Sequence, residues 1–134
     1  MTNKYKKYTD EAKVYDVAKR TPLDYQALLS TRLNNQIYLK REDLQSVFSF
    51  KIRGAYNKLT HLDKKIRDKG IIAASAGNHA QGVAMAAKTL GCKATIVMPK
   101  TTPTIKTNAV RKFGAEVVLH GICLLYTSPS PRDS

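Results

Sequence analysis

The sequence predicts an α/β fold: a partial doubly wound, mostly parallel sheet with helices on both faces. Three observations lead there. From Ile71 onward, short apolar runs alternate with amphipathic stretches of helical spacing, in the order strand, helix, strand, helix, strand. The connections between them are short, the pattern of right-handed βαβ crossovers. The runs Ile71–Ala74 and Ala94–Met98 are almost wholly apolar rather than alternating, as strands covered on both faces are.

In chain order, Asp10 to Arg20 reads as a short helix capped by Asp10, with Val14, Val17 and Ala18 on one face. Thr21-Pro22 stops it. Gln36–Lys40 is a strand that ends in the polar Arg41-Glu42-Asp43. A helix capped by Ser49 begins near Phe50 and runs to about Leu62, its inner face formed by Ile52, Ala55, Tyr56 and Leu59. Strand Ile71–Ala74 follows Gly70, and Ser75–Asn78 is a turn. From His79 to Leu90, the residues Ala80, Val83, Ala84, Ala87 and Leu90 keep helical spacing, and Gly91 fits the position just past the helix end. Ala94–Met98 is the next strand, broken by Pro99. Thr102 and Pro103 open a further helix as cap and first residue, with Ile105, Ala109, Val110 and Phe113 inward and Gly114 at its end. Glu116–His120 is the last strand. Residues 1–121 make one unit; 122–134 lack periodicity, end in a Ser/Pro/charge mix, and read as a foreign or disordered tail.

A chain of 134 residues has room for one domain with a core. No apolar run approaches the ~20 residues that a membrane span requires. The start, Met1-Thr-Asn-Lys-Tyr-Lys-Lys, has no apolar run behind it. The cytoplasm is the expected location, with no membrane partner. The net charge of +13 raises the question of nucleic acid. The lysines are spread along the whole chain, however, and no arginine-rich run, zinc-knuckle spacing or aromatic-plus-basic signature appears. A nucleic-acid partner is therefore not expected, though a positive field favours an anionic ligand. Cys92 and Cys123 show neither metal-ligand spacing nor a disulfide framework, and Cys92 reads as a small buried thiol.

Three clusters carry chemistry. In Ser49-Phe50-Lys51-Ile52-Arg53-Gly54-Ala55, Lys51 falls in the first turn of a helix, where the macrodipole disfavours the protonated amine. A neutral amine attacks an aldehyde, so Lys51 suits a Schiff-base role. On spacing alone, the solvated lysine is the commoner case. In Ser75-Ala76-Gly77-Asn78-His79-Ala80-Gln81-Gly82, Gly77 permits a tight turn and the free N–H groups at the helix start can hold an anion such as a carboxylate. Asn78 adds a donor and an acceptor. His79 has no partnered Asp or Ser in view and is expected to shape the loop. The third cluster, Tyr38-Leu39-Lys40-Arg41-Glu42-Asp43, reads alone as a strand end with solvated charges.

Taken together and in order, Thr21-Pro22-Leu23, Leu39-Lys40-Arg41-Glu42-Asp43, Ser49-Phe50-Lys51 and Ser75-Ala76-Gly77-Asn78 resemble the start of the fold-type II (tryptophan synthase β-like) pyridoxal-phosphate enzymes, in their threonine dehydratase branch. Val97-Met98-Pro99 and Phe113-Gly114-Ala115-Glu116-Val117 continue the likeness, which covers Val14 to Gly121. The resemblance implies the cofactor pyridoxal 5'-phosphate and makes residues 1–121 the N-terminal part of a catalytic domain. It implies that Lys51 bonds the cofactor's aldehyde and is the catalytic amine. Asn78 would hydrogen-bond the ring hydroxyl oxygen, and Phe50 would pack beside the ring. Ser75, Gly77 and His79 would grip the substrate carboxylate. The implied reaction is deamination of L-threonine to 2-oxobutanoate and ammonia, the first step of isoleucine biosynthesis, in an enzyme that forms homo-oligomers. A threonine/serine dehydratase acting also on L-serine, or a serine racemase, shares these motifs. The family's glycine-rich phosphate loop has no counterpart among the 7 glycines, so the chain alone is expected to be inactive.

Overall fold

Two sheets form within residues 4–123, the part of the chain that the computed structural model describes. The chain starts with α1 (Lys4–Asp10) and a single 3-10 turn at Val14–Asp16. The helix expected over Asp10–Arg20 does not form; α1 ends where that helix was to begin. A tertiary contact competes with it at its far end. The buried side chain of Gln45 occupies the backbone of Lys19 on both sides: the Lys19 N–H donates to Gln45 Oε1 and Gln45 Nε2 donates to the Lys19 carbonyl, both at 2.9 Å. Backbone groups satisfied in this way are not available to a helical ladder.

β1 (Leu23–Tyr25) and β2 (Tyr38–Lys40) pair antiparallel, Leu23 opposite Lys40, with α2 (Ala27–Leu33) between them. The periodicity gave no sign of β1 or α2, and β2 is shorter than expected. α3 (Lys51–Thr60) buries Ile52, Ala55, Tyr56 and Leu59, the face its spacing predicts. Phe50, rather than Ser49, directly precedes it, although the Lys51 N–H still donates to Ser49 Oγ at 3.4 Å. The short α4 (Lys64–Asp68) leads to β3 (Ile71–Ala74), then α5 (Asn78–Thr89), β4 (Ala94–Met98), α6 (Thr104–Arg111) and β5 (Glu116–Leu119).

β3, β4 and β5 lie side by side and parallel, with Ile71 beside Ala94 and Ile96 beside Val117. Two crossovers of the same hand that step in one direction leave their helices on one face of a sheet. α5 and α6 indeed pack on each other, over a face whose centre is the buried Ala94, Ile96 and Met98 of β4. The opposite face carries Ile72, 77% exposed, with Ala74, Val97 and Val118. The α/β class and the parallel sheet are thus as the alternation of patterns predicts, whereas among the described residues α5 and α6 cover one face rather than both.

Smaller departures have local reasons. α6 is preceded by Pro103 rather than opened by Thr102, and it buries Thr107 and Val110. Ile105, expected inward, is 79% exposed. Two positions before Thr107 is about 200° around a helix, so Ile105 points away from the packed side. Cys92 is half-buried, its thiol donating to the Ala87 carbonyl at 3.6 Å. The part of the proposed tail at 124–134 lies outside the described residues.

Candidate active site

Two helix starts build the site. Lys51 is the first residue of α3, and Asn78 is the first residue of α5. Ser75, Ala76 and Gly77 link Asn78 to the carboxyl end of β3, the end of a parallel sheet where ligands bind. The helices meet at Gly82. A Cβ placed there would stand 3.1 Å from the carbonyl carbon and oxygen of Lys51 and 3.3 Å from the Ile52 nitrogen. Asn78 and Gly82 are four residues apart and therefore share one face of α5. Four residues, about 6 Å of rise, separate Asn78 from the point of contact with Lys51. The Lys51 backbone and the start of α5 at Asn78, 27 positions apart in sequence, are brought near each other by this crossing.

Lys51 is exposed, and so is Phe50 beside it; the ammonium stands 4.7 Å from the centre of the Phe50 ring. Ser75 is buried, with its N–H donating to the Val97 carbonyl at 3.1 Å and its Oγ accepting from the Gly77 N–H at 3.3 Å. The hydroxyl therefore fixes the loop from beneath. Gly77 does not need its special freedom for the backbone, because φ −122° and ψ −155° are extended values that any residue adopts. Among the described residues, nothing comes within 4 Å of where its Cβ would be, so the loop has open space in front of it. His79 is exposed and lines a cleft of about 340 Å³ with Gly54, Lys58 and Leu62 of the α3 side and Ile72 of β3.

The charged cluster is not a solvated strand end. Arg53, two residues past Lys51, donates from Nε and Nη2 to the two oxygens of Glu42 at 2.9 and 2.8 Å. Thr21 Oγ1 donates to Glu42 Oε1 at 2.6 Å, and Gln45 Nε2 donates to Oε2 at 3.2 Å. The Arg53 guanidinium holds the Glu42 carboxyl down to about 2, from an ordinary 4.5, against the opposing effect of burial. Arg41 pairs with Asp24 and Asp43 at 2.9 and 2.7 Å, and the Lys40 ammonium donates to the Thr21 carbonyl. These bonds tie the segment before Lys51 to α3. It includes Phe48, held at φ 54° and 76% exposed, an unfavourable backbone for a bulky residue. Sequence reasoning missed Gly82, Gln45 and the Glu42–Arg53 pair. A glycine inside a helical pattern was the available signal for Gly82; a single sequence held none for the pairing.

The family profile described as pyridoxal-phosphate dependent enzyme matches residues 14–130. The chain belongs to that family. The match runs past Gly121, so the boundary placed there rests on composition alone. Among curated relatives, the biosynthetic L-threonine dehydratase of Pasteurella multocida is 58% identical over 117 residues, 87% of this chain and 23% of that protein. The chloroplastic biosynthetic threonine dehydratase 1 of Solanum lycopersicum is 61% identical over 110 residues, 82% of this chain and 18% of its own length. The chain thus spans about a fifth of such relatives. The solved structure of processed threonine deaminase isoform 2 from Solanum lycopersicum superposes with a TM-score of 0.86 at 51% identity, covering 92% of this chain and 35% of that one. Maize serine racemase follows at 0.85 and 31% identity, covering 92% and 39%. The residues present fit the family's cofactor: an exposed amine at a helix start, an aromatic ring beside it, and open space before a loop of backbone N–H groups.

Proposed function

We propose that this chain provides the amine-bearing half of the active site of a threonine dehydratase, which deaminates L-threonine to 2-oxobutanoate and ammonia as the entry to isoleucine biosynthesis. The observation that carries the proposal is the crossing at Gly82, where the Lys51 backbone meets α5 about one turn beyond Asn78. Identities of 58% and 61% to biosynthetic threonine dehydratases support the choice of reaction. Shape alone does not separate this from a racemase of serine, since the two superpositions differ by 0.01 in TM-score (0.86 against 0.85); the identities of 51% and 31% favour the dehydratase.

When bound, pyridoxal phosphate supplies the electron sink for the carbanion left by loss of the α-proton. Lys51 would hold the cofactor through its Nζ, the amine that would also take the α-proton. Asn78 would hydrogen-bond the ring hydroxyl oxygen, and Phe50 would pack beside the ring. Ser75, Gly77, His79 and the N–H groups at the start of α5 would grip the substrate carboxylate, as a helix N-terminus does. Contacts to the phosphate come from outside these residues, so the chain alone is inactive. The complete enzyme is a homo-oligomer, and the cytoplasm is its location in this proposal, although some relatives are named chloroplastic or mitochondrial.

Titration with pyridoxal phosphate, borohydride trapping and intact mass test the assignment. A single adduct in the native chain that disappears in Lys51→Ala is expected. Equal labelling of several lysines in both proteins would remove Lys51 from its role.

A further inference from the structure

We infer that Gly82 is a positioning residue: it sets where the Lys51 backbone stands against α5. The inference rests on the proposed function for what Lys51 does, but not for where it stands. A glycine in a helix interior costs about 1 kcal/mol against alanine, so its presence inside α5 calls for a reason in packing. That reason is the 3.1 Å and 3.3 Å approach of a Cβ to atoms of Lys51 and Ile52. All three atoms are backbone, so no side-chain rotation relieves the clash. Nor is the start of α3 free to retreat, because Arg53 is fixed to Glu42 by two hydrogen bonds one half-turn further on. An added methyl therefore makes the contact between the start of α3, which carries the amine, and α5, which carries Asn78, give way by a few tenths of an ångström. Gly54 provides the contrast: among the described residues, nothing lies within 4 Å of its Cβ position.

The test compares the native chain with Gly82→Ala and, as a control of similar destabilisation on another face of α5, Ala84→Gly, at a temperature where circular dichroism shows each folded. In the native chain, a nuclear Overhauser contact between a Gly82 α-proton and the Ile52 amide is expected; its absence overturns the inference with no variant needed. In Gly82→Ala, the amide resonances of Lys51, Ile52 and Asn78 shift, and borohydride trapping of pyridoxal phosphate at Lys51 falls at least ten-fold. In Ala84→Gly both stay near native. Unmoved Lys51 and Ile52 amides in Gly82→Ala overturn the inference, as does trapping at native yield. Absence of trapping in the native chain counts against the proposed function alone; displaced amides still support the placement by Gly82.

Discussion

Glu42 shows how one side chain ties the segment before Lys51 to the helix that carries it. Its carboxylate accepts from Arg53, Thr21 and Gln45 at once, and the pair with Arg53 is only 15% and 21% exposed. A folded value of about 2 against an ordinary 4.5 means that this stabilisation is complete above about pH 4.5 and disappears as pH falls through about 2. Glu42→Gln is expected to cost roughly 2 to 3 kcal/mol at neutral pH, since it leaves the guanidinium without its charged acceptor. Urea titrations at several pH values check this: the gap between native and variant narrows between about pH 4.5 and 2. A gap independent of pH would mean that Glu42 acts by shape and not by charge.

At the scale of the element, α3 and α5 are held by different devices at their two ends. α5 stops in a Schellman motif: the Cys92 N–H donates to the Ala87 carbonyl and the Gly91 N–H to that of Lys88, with Gly91 at φ 66°. Gly91→Ala places a Cβ in the left-handed region and is expected to cost about 1 kcal/mol by thermal melting. Gly54→Ala, on the exposed side of α3 with no atom within 4 Å, is expected to stabilise by about 0.5 to 1 kcal/mol. Both helices were legible because twelve and ten residues show a full 3.6-residue repeat. β1, at three residues, is too short to show the two-residue alternation of a strand, and α2 and α4, at seven and five, span no more than two helical turns.

For the whole molecule, the uncovered side of the parallel sheet is the main feature. Ile72 is 77% exposed and Val118 38%, on a face that α5 and α6 do not reach. Ile72→Thr is expected to change stability by less than about 0.5 kcal/mol while reducing concentration-dependent light scattering, because an exposed β-branched position gains little from burial it does not have. Undiminished scattering would place the association elsewhere. Apolar period and local turn chemistry, as properties of neighbouring residues, were enough for the parallel α/β order and the inner faces of α3 and α5, whereas Lys51 and Ser75–Asn78 were singled out by the resemblance of the ordered motifs to a family. The approach of Gly82 to the Lys51 backbone, the grip of Gln45 on Lys19 and the pairing of Glu42 with Arg53 were decided by the tertiary structure alone. Each joins residues 11 to 31 positions apart, and such contacts are fixed by how the elements pack, which no local pattern records.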